Sequence, residues 1–297
     1  MANVYYKIDD RTSLTKKLYY CNTQKDGYEL WNYTIYPPVS RGRLVTIEYD
    51  NLGIFYFPEN ASHFFDGCIN ETFELGNFYI WKMTDTTNAY MMFMNATNLK
   101  RINGGREQWD LSRAWTLGYM FCNCTSLEEF PWGASNINTR SCQRMYSMFS
   151  NCVSLTDFSF LKNWDTSNVT DMSNMFNGCT SMTNIDISNW DMDNVETVDA
   201  MFARCINLEE IKVKPYTDWN DGSKGTGVNL FNTDEKLPNW DGTVDITKAN
   251  TWPLGYFSYE PVAPTKFEMH IKAANSWSNS TIYQKINGVW TEMEVYF

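Results

Sequence analysis

Cysteine offers the most varied chemistry of any residue type in this chain, which contains eight cysteines among 297 residues. A thiolate can bind a metal ion, form a disulfide or act as a nucleophile. Cys122 and Cys124 are the one close pair, and His63 and His270 are the two histidines that could complete a zinc site. Because this set falls short of the usual ligand spacing, the sequence predicts no metal site.

Five of the cysteines share one position of an internal repeat: Cys68, Cys124, Cys152, Cys179 and Cys205. A residue that recurs once per repeat is typical of a structural position, and a free cysteine packs as a small apolar side chain. We therefore expect these five residues to form a row in the core. This usage fits a reduced chain better than a disulfide framework.

Paired carboxylates are the second candidate for chemistry, since two acids at a suitable separation can cleave glycosidic bonds. Glu128-Glu129 and Glu209-Glu210 are such pairs. Other repeats carry Lys100-Arg101, Thr156-Asp157 and Thr183-Asn184 at the same positions, which is typical of a solvent-exposed face and argues against a polysaccharide-degrading enzyme. The sequence also offers no identifiable Ser-His-Asp triad or GxxxxGK[ST] phosphate loop. It predicts a protein that is not an enzyme and that has no cofactor.

The internal repeat is clearest between residues 163–187 and 189–213, which align when the sequence is shifted by 26 residues. One phenylalanine marks each copy: Phe65, Phe93, Phe121, Phe149, Phe176, Phe202 and Phe231. These marker phenylalanines are 26 to 29 residues apart, and five of the seven have a tryptophan twelve residues before them. Repeats of this length indicate that neighbouring copies bury their apolar faces against each other.

The spacing of apolar residues changes within one repeat. Residues 169–179 place apolar side chains, including a methionine stripe, three or four positions apart, which predicts a short helix whose methionines fill the core. Residues 182–187 alternate as a strand does. The predicted fold class is therefore an α/β solenoid of leucine-rich repeats, each of about 26–29 residues with a parallel strand and a short helix, flanked by small antiparallel β modules.

Three domains are predicted along the chain. Residues 1–52 contain short aromatic and β-branched runs and predict an N-terminal β-rich module or cap. Residues 53–260 contain about seven repeats, with a turn-rich insertion at 218–227. The PVAP sequence at 261–264 predicts a linker, and Asn287-Gly288 predicts a hairpin in a C-terminal module of residues 261–297.

Charge and hydropathy exclude two classes of partner. The net charge is −11 and the pI about 4.7, so we expect no nucleic-acid binding, which needs a basic surface. No run of 18 apolar residues occurs, so we expect no membrane insertion. The N-terminal sequence MANVYYKIDD has no basic region followed by an apolar one, so we also expect no export by the usual secretory route.

The repeat motif also carries a resemblance. The sequence NWDTSNVTDMSNMF, followed by a cysteine three residues later and by IDI, resembles the BspA-like leucine-rich repeat, also described as the mycoplasma surface-lipoprotein repeat. The resemblance is most specific over residues 160–213 and weakens over 53–255. It implies a cell-surface adhesin, or a structural or fibre protein of a bacteriophage. It implies no catalytic residues.

The polar positions of the predicted strands would line a concave face, the surface that solenoids commonly use for binding. The candidate binding residues are Arg101, Glu129, Asp157, Asn184, Asp186, Glu210 and Lys212. Together with the missing export signal, the resemblance predicts a bacteriophage virion protein that is made and assembled in the host cytoplasm. Its expected partners are other virion proteins, a second copy of the chain, and a host-surface protein or glycan. The alternative is a BspA-like adhesin at a bacterial cell surface.

Overall fold

The computed structural model divides the chain into two units, Met1–Ser258 and Tyr259–Phe297. The residues that it describes are 3–9, 16–31, 41–47, 54–74, 80–103, 111–130, 137–214, 257–258, 272–273, 276–277, 280–286 and 289–295. The first unit contains a four-stranded sheet followed by the repeats, and the second contains two pairs of antiparallel strands.

The N-terminal sheet has the strand order β3-β1-β2-β4. Its strands are β1 Tyr5–Asp9, β2 Lys16–Cys21, β3 Glu29–Leu30 and β4 Arg43–Ile47. β1 is antiparallel to β2 and β3, whereas β2 and β4 are parallel. Tyr20 of β2 is buried, its ring stacks on Phe64 at 4.2 Å, and its hydroxyl donates to the Phe64 carbonyl oxygen at 3.1 Å. The sheet therefore covers the first repeat and satisfies one of its backbone acceptors.

The remaining strands of the first unit are short. They are β5 Ile54–Tyr56, β6 Thr72–Glu74, β7 Ile80–Lys82, β8 Arg101–Asn103, β9 Asn184–Ile187, β10 Glu210–Val213 and β11 Phe257–Ser258. β5 pairs with β7 and β6 with β8, and β9, β10 and β11 form one sheet in which β10 is central; all these pairs are parallel. One 3₁₀ helix, Ser159–Asn163, precedes β9.

The second unit contains β12 Lys272–Ala273 paired with β13 Ser276–Trp277, and β14 Ser280–Ile286 paired with β15 Val289–Val295. Both pairs are antiparallel. Ile286 lies opposite Val289, so β14 and β15 form the hairpin that Asn287-Gly288 predicts.

Around each of the six marker phenylalanines that the structure describes, the backbone follows one pattern over nine residues, which we call the turn segment. The turn segments are residues 60–68, 88–96, 116–124, 144–152, 171–179 and 197–205. Neighbouring turn segments are joined in parallel register at their first residues, from Asn60 through Asn88 to Thr197.

Alternate backbone N–H groups of a turn segment donate either to the next repeat or to the same turn segment, as residues 88–96 illustrate. One set donates to carbonyl oxygens of the next repeat at 2.8–3.3 Å: Ala89, Met91, Phe93 and Asn95. The other set donates to the carbonyl three residues earlier at 3.1–3.2 Å: Met92, Met94 and Ala96. The N–H of Tyr90 donates to the Asn88 side chain at 2.9 Å. Every N–H from Ala89 to Ala96 is thus satisfied, as a buried backbone requires.

Two residues of each turn segment have positive φ, between 52° and 76°. Those that lie two positions before the marker phenylalanine are His63, Met91, Tyr119, Ser147, Asn174 and Ala200. Those that lie two positions after it are Gly67, Asn95, Asn123, Asn151, Gly178 and Arg204. Glycine and asparagine adopt this left-handed conformation most readily, which explains their frequency at the second position.

The prediction of an α/β solenoid of leucine-rich repeats is wrong. The described residues contain no α-helix, and their strands form separate small sheets of two to four strands. Residues 169–179, predicted as a helix, form consecutive turns in which Asn174 and Gly178 have φ of 56° and 76°. Left-handed residues interrupt α-helical hydrogen bonding, and the N–H groups of both donate to the next repeat. Apolar residues three or four positions apart also share one face in a series of consecutive turns, which explains why their spacing resembles that of a helix.

The marker phenylalanines form a continuous stack through the core. Ring centroids are 4.9, 5.2, 5.8, 6.0 and 5.5 Å apart for successive pairs from Phe65 to Phe202. The rings of Phe93, Phe121 and Phe149 are nearly parallel, with angles of 5° and 1° between neighbours. Each such aromatic pair adds about 0.5–1.5 kcal/mol to the burial of its rings. One phenylalanine per repeat thereby couples each repeat to both neighbours.

The prediction of a buried cysteine row is confirmed. Cys124, Cys152, Cys179 and Cys205 are 0% exposed, and Cys68 is 1% exposed. From Cys124 onwards each thiol of the row donates to the marker phenylalanine carbonyl of the preceding repeat, at 3.1–3.2 Å. That carbonyl also accepts a turn hydrogen bond, so the thiol satisfies its second lone pair. The predicted methionine stripe is buried as well, with Met120, Met145, Met148, Met172, Met175 and Met201 all 0% exposed.

Several predicted features lie outside the described residues. They are the domain boundaries at 52/53 and 260/261, Trp109, the insertion at 218–227, the last marker Phe231 and the linker at 261–264. Within the described part of the chain, no helix has the length and hydropathy that a membrane crossing requires.

Candidate functional site

The binding residues predicted from the sequence fall on two different sheets and on the segments between them. Arg101 begins β8, which pairs with β6. Asn184 and Asp186 lie in β9, directly opposite Glu210 and Lys212 of β10. Glu129 and Asp157 lie outside the strands and are exposed. The structure therefore brings four of the seven residues together as two cross-strand pairs.

Several of these side chains already have intramolecular partners. Arg101 pairs with Glu128 at 3.5 Å, and the Asp157 carboxylate accepts the Ser159 N–H at 2.8 Å. Asp186 accepts from Lys162 at 2.8 Å and from the Ser188 hydroxyl at 2.6 Å. Such contacts stabilise the edges of neighbouring repeats. A binding role for the seven residues stays a prediction.

Asp186 shows how this face is electrostatically balanced. Partial burial would raise the pKa of its carboxyl, but hydrogen bonds from Lys162 and Ser188 outweigh that effect and lower it. The carboxylate is therefore charged at neutral pH and held in an ion pair whose members are 48% and 28% exposed. Exposed pairs of this kind contribute about 0–1 kcal/mol.

A second polar group lies at the first repeat. Asp66 is buried, and its carboxylate accepts from His63 Nδ1 at 3.0 Å, from Asn95 at 3.2 Å and from Arg41 at 3.4 Å. Burial would raise the pKa of Asp66, but the hydrogen bonds from His63 and Asn95, together with the Arg41 charge, lower it. The Asp66 carboxylate thereby links Arg41 and His63 to Asn95 of the second repeat.

Asn95 continues this contact as an asparagine ladder. Asn123 donates to Asn95 and Asn151 donates to Asn123, both at 2.9 Å. These three asparagines occupy the left-handed position after the marker phenylalanine. In the next repeat Gly178 takes this position, and a Cβ there would lie 2.5 Å from the Asn151 Oδ1. The ladder therefore ends at Asn151, because Gly178 has no side-chain amide and the Asn151 Oδ1 occupies the place of its Cβ.

Aromatic side chains from four consecutive repeats form a second cluster, separate from the phenylalanine stack. We call it the tyrosine cluster: His63, Tyr90, Tyr119 and Tyr146. All four are partly exposed. Edge-to-face contacts join them, at 5.9 Å for His63–Tyr90, 5.9 Å for Tyr90–Tyr119 and 5.3 Å for Tyr119–Tyr146.

Gly118 provides the space that closes this cluster. A Cβ at Gly118 would lie 2.8–3.1 Å from three ring carbons of Tyr146, so the ring occupies the place of a side chain. Tyr146 consequently reaches Tyr90, two repeats away, at 6.4 Å between centroids. Burial raises the pKa of Tyr146, and the Arg144 charge and a hydrogen bond from the Tyr90 hydroxyl offset this effect only in part. The Tyr146 hydroxyl is therefore protonated at neutral pH and can donate.

A tryptophan and an arginine lie beside the tyrosine cluster. Trp115 is 42% exposed, and the Arg144 guanidinium lies over its ring at 5.8 Å from the centroid. Arg144 is two residues before Tyr146 and close enough that its charge acts on the Tyr146 hydroxyl. Cation–π contacts of this kind contribute about 0.5–1 kcal/mol at exposed sites. We refer to these residues as the Trp115–Arg144 pair.

Reasoning from the sequence missed the tyrosine cluster, although a signal was present. Aligning the repeats on their marker phenylalanines places Tyr90, Gly118 and Tyr146 at one position and His63 and Tyr119 at the next. The last two described repeats carry Ser173-Asn174 and Asp199-Ala200 there. Because those repeats form the same turn segments, the fold does not require aromatic residues at these positions.

The cysteines are buried, which disfavours a role as nucleophiles or metal ligands. Burial raises the pKa of Cys68 and Cys142 to about 12 and that of Cys122 to about 11. A thiol with such a pKa is protonated at neutral pH and is a weak nucleophile and a weak metal ligand. Among the described residues, no group of three or more His, Cys, Asp or Glu side chains has the arrangement of a metal site.

The chain matches a known family over most of its repeats. Residues 59–159 and 128–240 each match the model of the family described as "Mycoplasma protein of unknown function, DUF285". The two matches together cover residues 59–240, which is more than half of the 297-residue chain. No curated protein and no solved structure is similar enough to count as a match.

Proposed function

The chain belongs to this Mycoplasma family of unknown function, DUF285, and on that premise we propose that it is a non-enzymatic structural protein of a bacteriophage virion. Of the resemblance described above, this match confirms only the relation to a Mycoplasma protein family. In our proposal the protein is part of a tail, a fibre or a head appendage. Its repeats contact other virion proteins or the host surface.

The tyrosine cluster is the observation that carries the binding part of this proposal. Partly exposed tyrosine, tryptophan and arginine side chains are typical of binding surfaces, because they combine large contact areas with polar groups. Here the side chains are held by ring contacts and by backbone hydrogen bonds between repeats. A surface that is fixed in this way loses little conformational entropy when it binds.

The structural part of the proposal is supported by how the repeats are joined. Four backbone hydrogen bonds connect each turn segment to the next, and the phenylalanine stack runs through all six described segments. This arrangement suits a protein that carries load or separates two attachment points. We propose that the second unit, which contains the β14–β15 hairpin, attaches the chain to other virion proteins or to a second copy.

Mass spectrometry on two fractions of the source culture tests this proposal. Purified extracellular particles and washed cell envelopes would be digested, and peptides of this chain would be quantified against known components of each fraction. We expect stoichiometric peptides in the particles. Peptides confined to the envelope fraction would overturn the virion proposal.

The alternative is an adhesin at a bacterial cell surface, and the description of the family as a Mycoplasma protein favours it. In that case the same tyrosine cluster would face a ligand outside the cell. Surface labelling of intact cells with a reagent that cannot cross membranes, followed by the same peptide quantification, distinguishes an adhesin from a protein held inside the envelope.

A further inference from the structure

We propose that the tyrosine cluster and the Trp115–Arg144 pair together bind a pyranoside sugar that carries an anionic group. This inference rests on the proposed function, because it names the ligand class of the surface that would contact the host. The ligand chemistry is one sugar ring with an apolar C–H face, hydroxyl groups at its edge, and a carboxylate or phosphate substituent.

The fold does not need the aromatic residues of the tyrosine cluster. The repeats that carry Ser173-Asn174 and Asp199-Ala200 make the same turn hydrogen bonds without them. Large partly exposed aromatic side chains that the fold does not require indicate a binding surface. Their presence in four consecutive repeats also concentrates them at one place rather than along the whole chain.

The rings of the tyrosine cluster are held in place by contacts within the protein. Tyr119 donates its N–H to the Tyr146 carbonyl at 3.0 Å, and its ring contacts both Tyr90 and Tyr146. Gly118 accommodates the Tyr146 ring, as described above. A ligand therefore meets ring faces, ring edges and hydroxyl groups whose positions are fixed before binding, which lowers the entropic cost of association.

The chemical groups of the tyrosine cluster and the Trp115–Arg144 pair match those of a sugar. Tyrosine and tryptophan rings offer apolar faces to C–H groups, and tyrosine hydroxyls donate to and accept from sugar hydroxyls. The Tyr146 hydroxyl, whose pKa is raised by burial, stays protonated and can donate. These features fit a polyhydroxylated ring better than a purely apolar ligand, which could not accept a hydrogen bond from the Tyr146 hydroxyl.

Arg144 determines the charge preference. Its side chain lies over the exposed Trp115 ring, and a guanidinium forms paired hydrogen bonds with carboxylate or phosphate. The neighbouring carboxylate of Asp171 is held by its own turn, since it accepts from the Ser173 N–H at 2.9 Å and hydroxyl at 2.7 Å. A net charge of −11 disfavours an extended polyanion, so one anionic group on an otherwise neutral sugar fits the Arg144 guanidinium.

Saturation-transfer difference NMR on the purified full chain tests the inference with three probes. Sialyllactose carries a carboxylate, glucose 1-phosphate carries a phosphate, and lactose is the neutral comparison. We expect saturation transfer to at least one anionic sugar, and weaker transfer to lactose. The two anionic probes show whether a carboxylate or a phosphate is the preferred group.

The variants assign the interaction to residues. Tyr119→Ala should abolish transfer to all three probes, and alanine is compatible with the backbone because Ala200 has the equivalent conformation, with φ of 54°. Arg144→Gln should weaken binding of the anionic sugar about tenfold while leaving lactose unchanged, since a hydrogen bond to a charged group is lost. The control is Tyr56→Ala, which removes a tyrosine that is 42% exposed on β5, outside the cluster.

Three outcomes would overturn the inference: no transfer to any probe, equal transfer to lactose and the anionic sugars, or undiminished transfer in a folded Tyr119→Ala variant. Thermal unfolding of each variant establishes that it is folded. The proposed virion function would survive these outcomes if the chain is stoichiometric in purified particles. Conversely, sugar binding by a chain found in the envelope would retain this inference and reject the virion proposal.

Discussion

Replacing Asn123 separates two contributions to stability that the turn segments combine. Asn123 has φ of 61°, and its side chain donates to Asn95 and accepts from Asn151, both at 2.9 Å. Asn123→Ala removes both hydrogen bonds and places a Cβ-bearing residue without a polar side chain in the left-handed conformation. Asn123→Gly removes the same hydrogen bonds but adopts that conformation without strain.

The expected magnitudes follow from these contacts. Each hydrogen bond contributes about 0.5–1.5 kcal/mol net, and left-handed backbone costs an ordinary residue about 1–2 kcal/mol. Asn123→Ala should therefore lower the free energy of unfolding by about 2–5 kcal/mol. Asn123→Gly should lower it by about 1–3 kcal/mol, and should remain the more stable variant, although glycine also gains entropy in the unfolded chain.

Urea unfolding followed by circular dichroism measures both values. Asn98→Ala is a suitable control, because Asn98 is an exposed asparagine just after the same turn segment as Asn95 and should change stability by less than about 0.5 kcal/mol. If the Asn123→Ala variant were as stable as the Asn123→Gly variant or more stable, the expected cost of the left-handed conformation at residue 123 would be wrong. If both variants matched the wild type, the ladder would contribute nothing to stability.

Three further predictions concern the core and its charged group. Phe121→Ala should destabilise the chain by about 3–5 kcal/mol in urea unfolding, because the ring is fully buried between Phe93 and Phe149; a loss below about 1 kcal/mol would contradict the stack. The folded pKa of Asp66 lies below its ordinary value of 3.8, so its stabilisation is present above pH 3.8 and is lost as the pH falls through the lower folded pKa. The urea midpoint of Asp66→Asn should accordingly depend less on pH than that of the wild type at the acid end, and parallel curves would count against this explanation. Finally, all eight cysteines are buried, so a thiol reagent at pH 8 should react only after denaturation, and rapid reaction of the native chain would show an accessible thiol.

The burial of the residues that recur once per repeat could be predicted from the sequence. Phe121 and Cys124 were expected in the core because they return at fixed intervals, and both are fully buried. Recurrence identifies structural positions without any knowledge of backbone conformation. This is why the core was predicted more successfully than the elements that form it.

The backbone conformation of the turn segments could not be predicted from the sequence, because the spacing of apolar residues alone does not distinguish a helix from consecutive turns. Met91, Tyr119 and Ser147 have positive φ, yet none of them is a residue type that signals this conformation. Their N–H groups donate to the next repeat, and this long-range pairing outweighs local preference. The predicted helix was wrong for that reason.

The tyrosine cluster was missed for a different reason. Tyr90 and Tyr146 are 56 residues apart in the sequence and meet because Gly118 leaves space between them. Only an alignment of the repeats, position by position, reveals such a juxtaposition. The predicted charged residues, by contrast, were chosen on strands, and the structure places Arg101 and Asp186 on separate sheets.

The alternation of N–H groups along the turn segment determines which residues bond to the neighbouring repeat. Odd and even residues have different partners, so deleting one residue between Ala89 and Ala96 would exchange the groups that face the neighbouring repeat with those that close the turns. The distance between marker phenylalanines varies from 26 to 28 residues among the described repeats, yet every turn segment keeps nine residues. Length changes are therefore confined to the connections, and a gene for such a protein can gain or lose whole repeats far more readily than single codons within them.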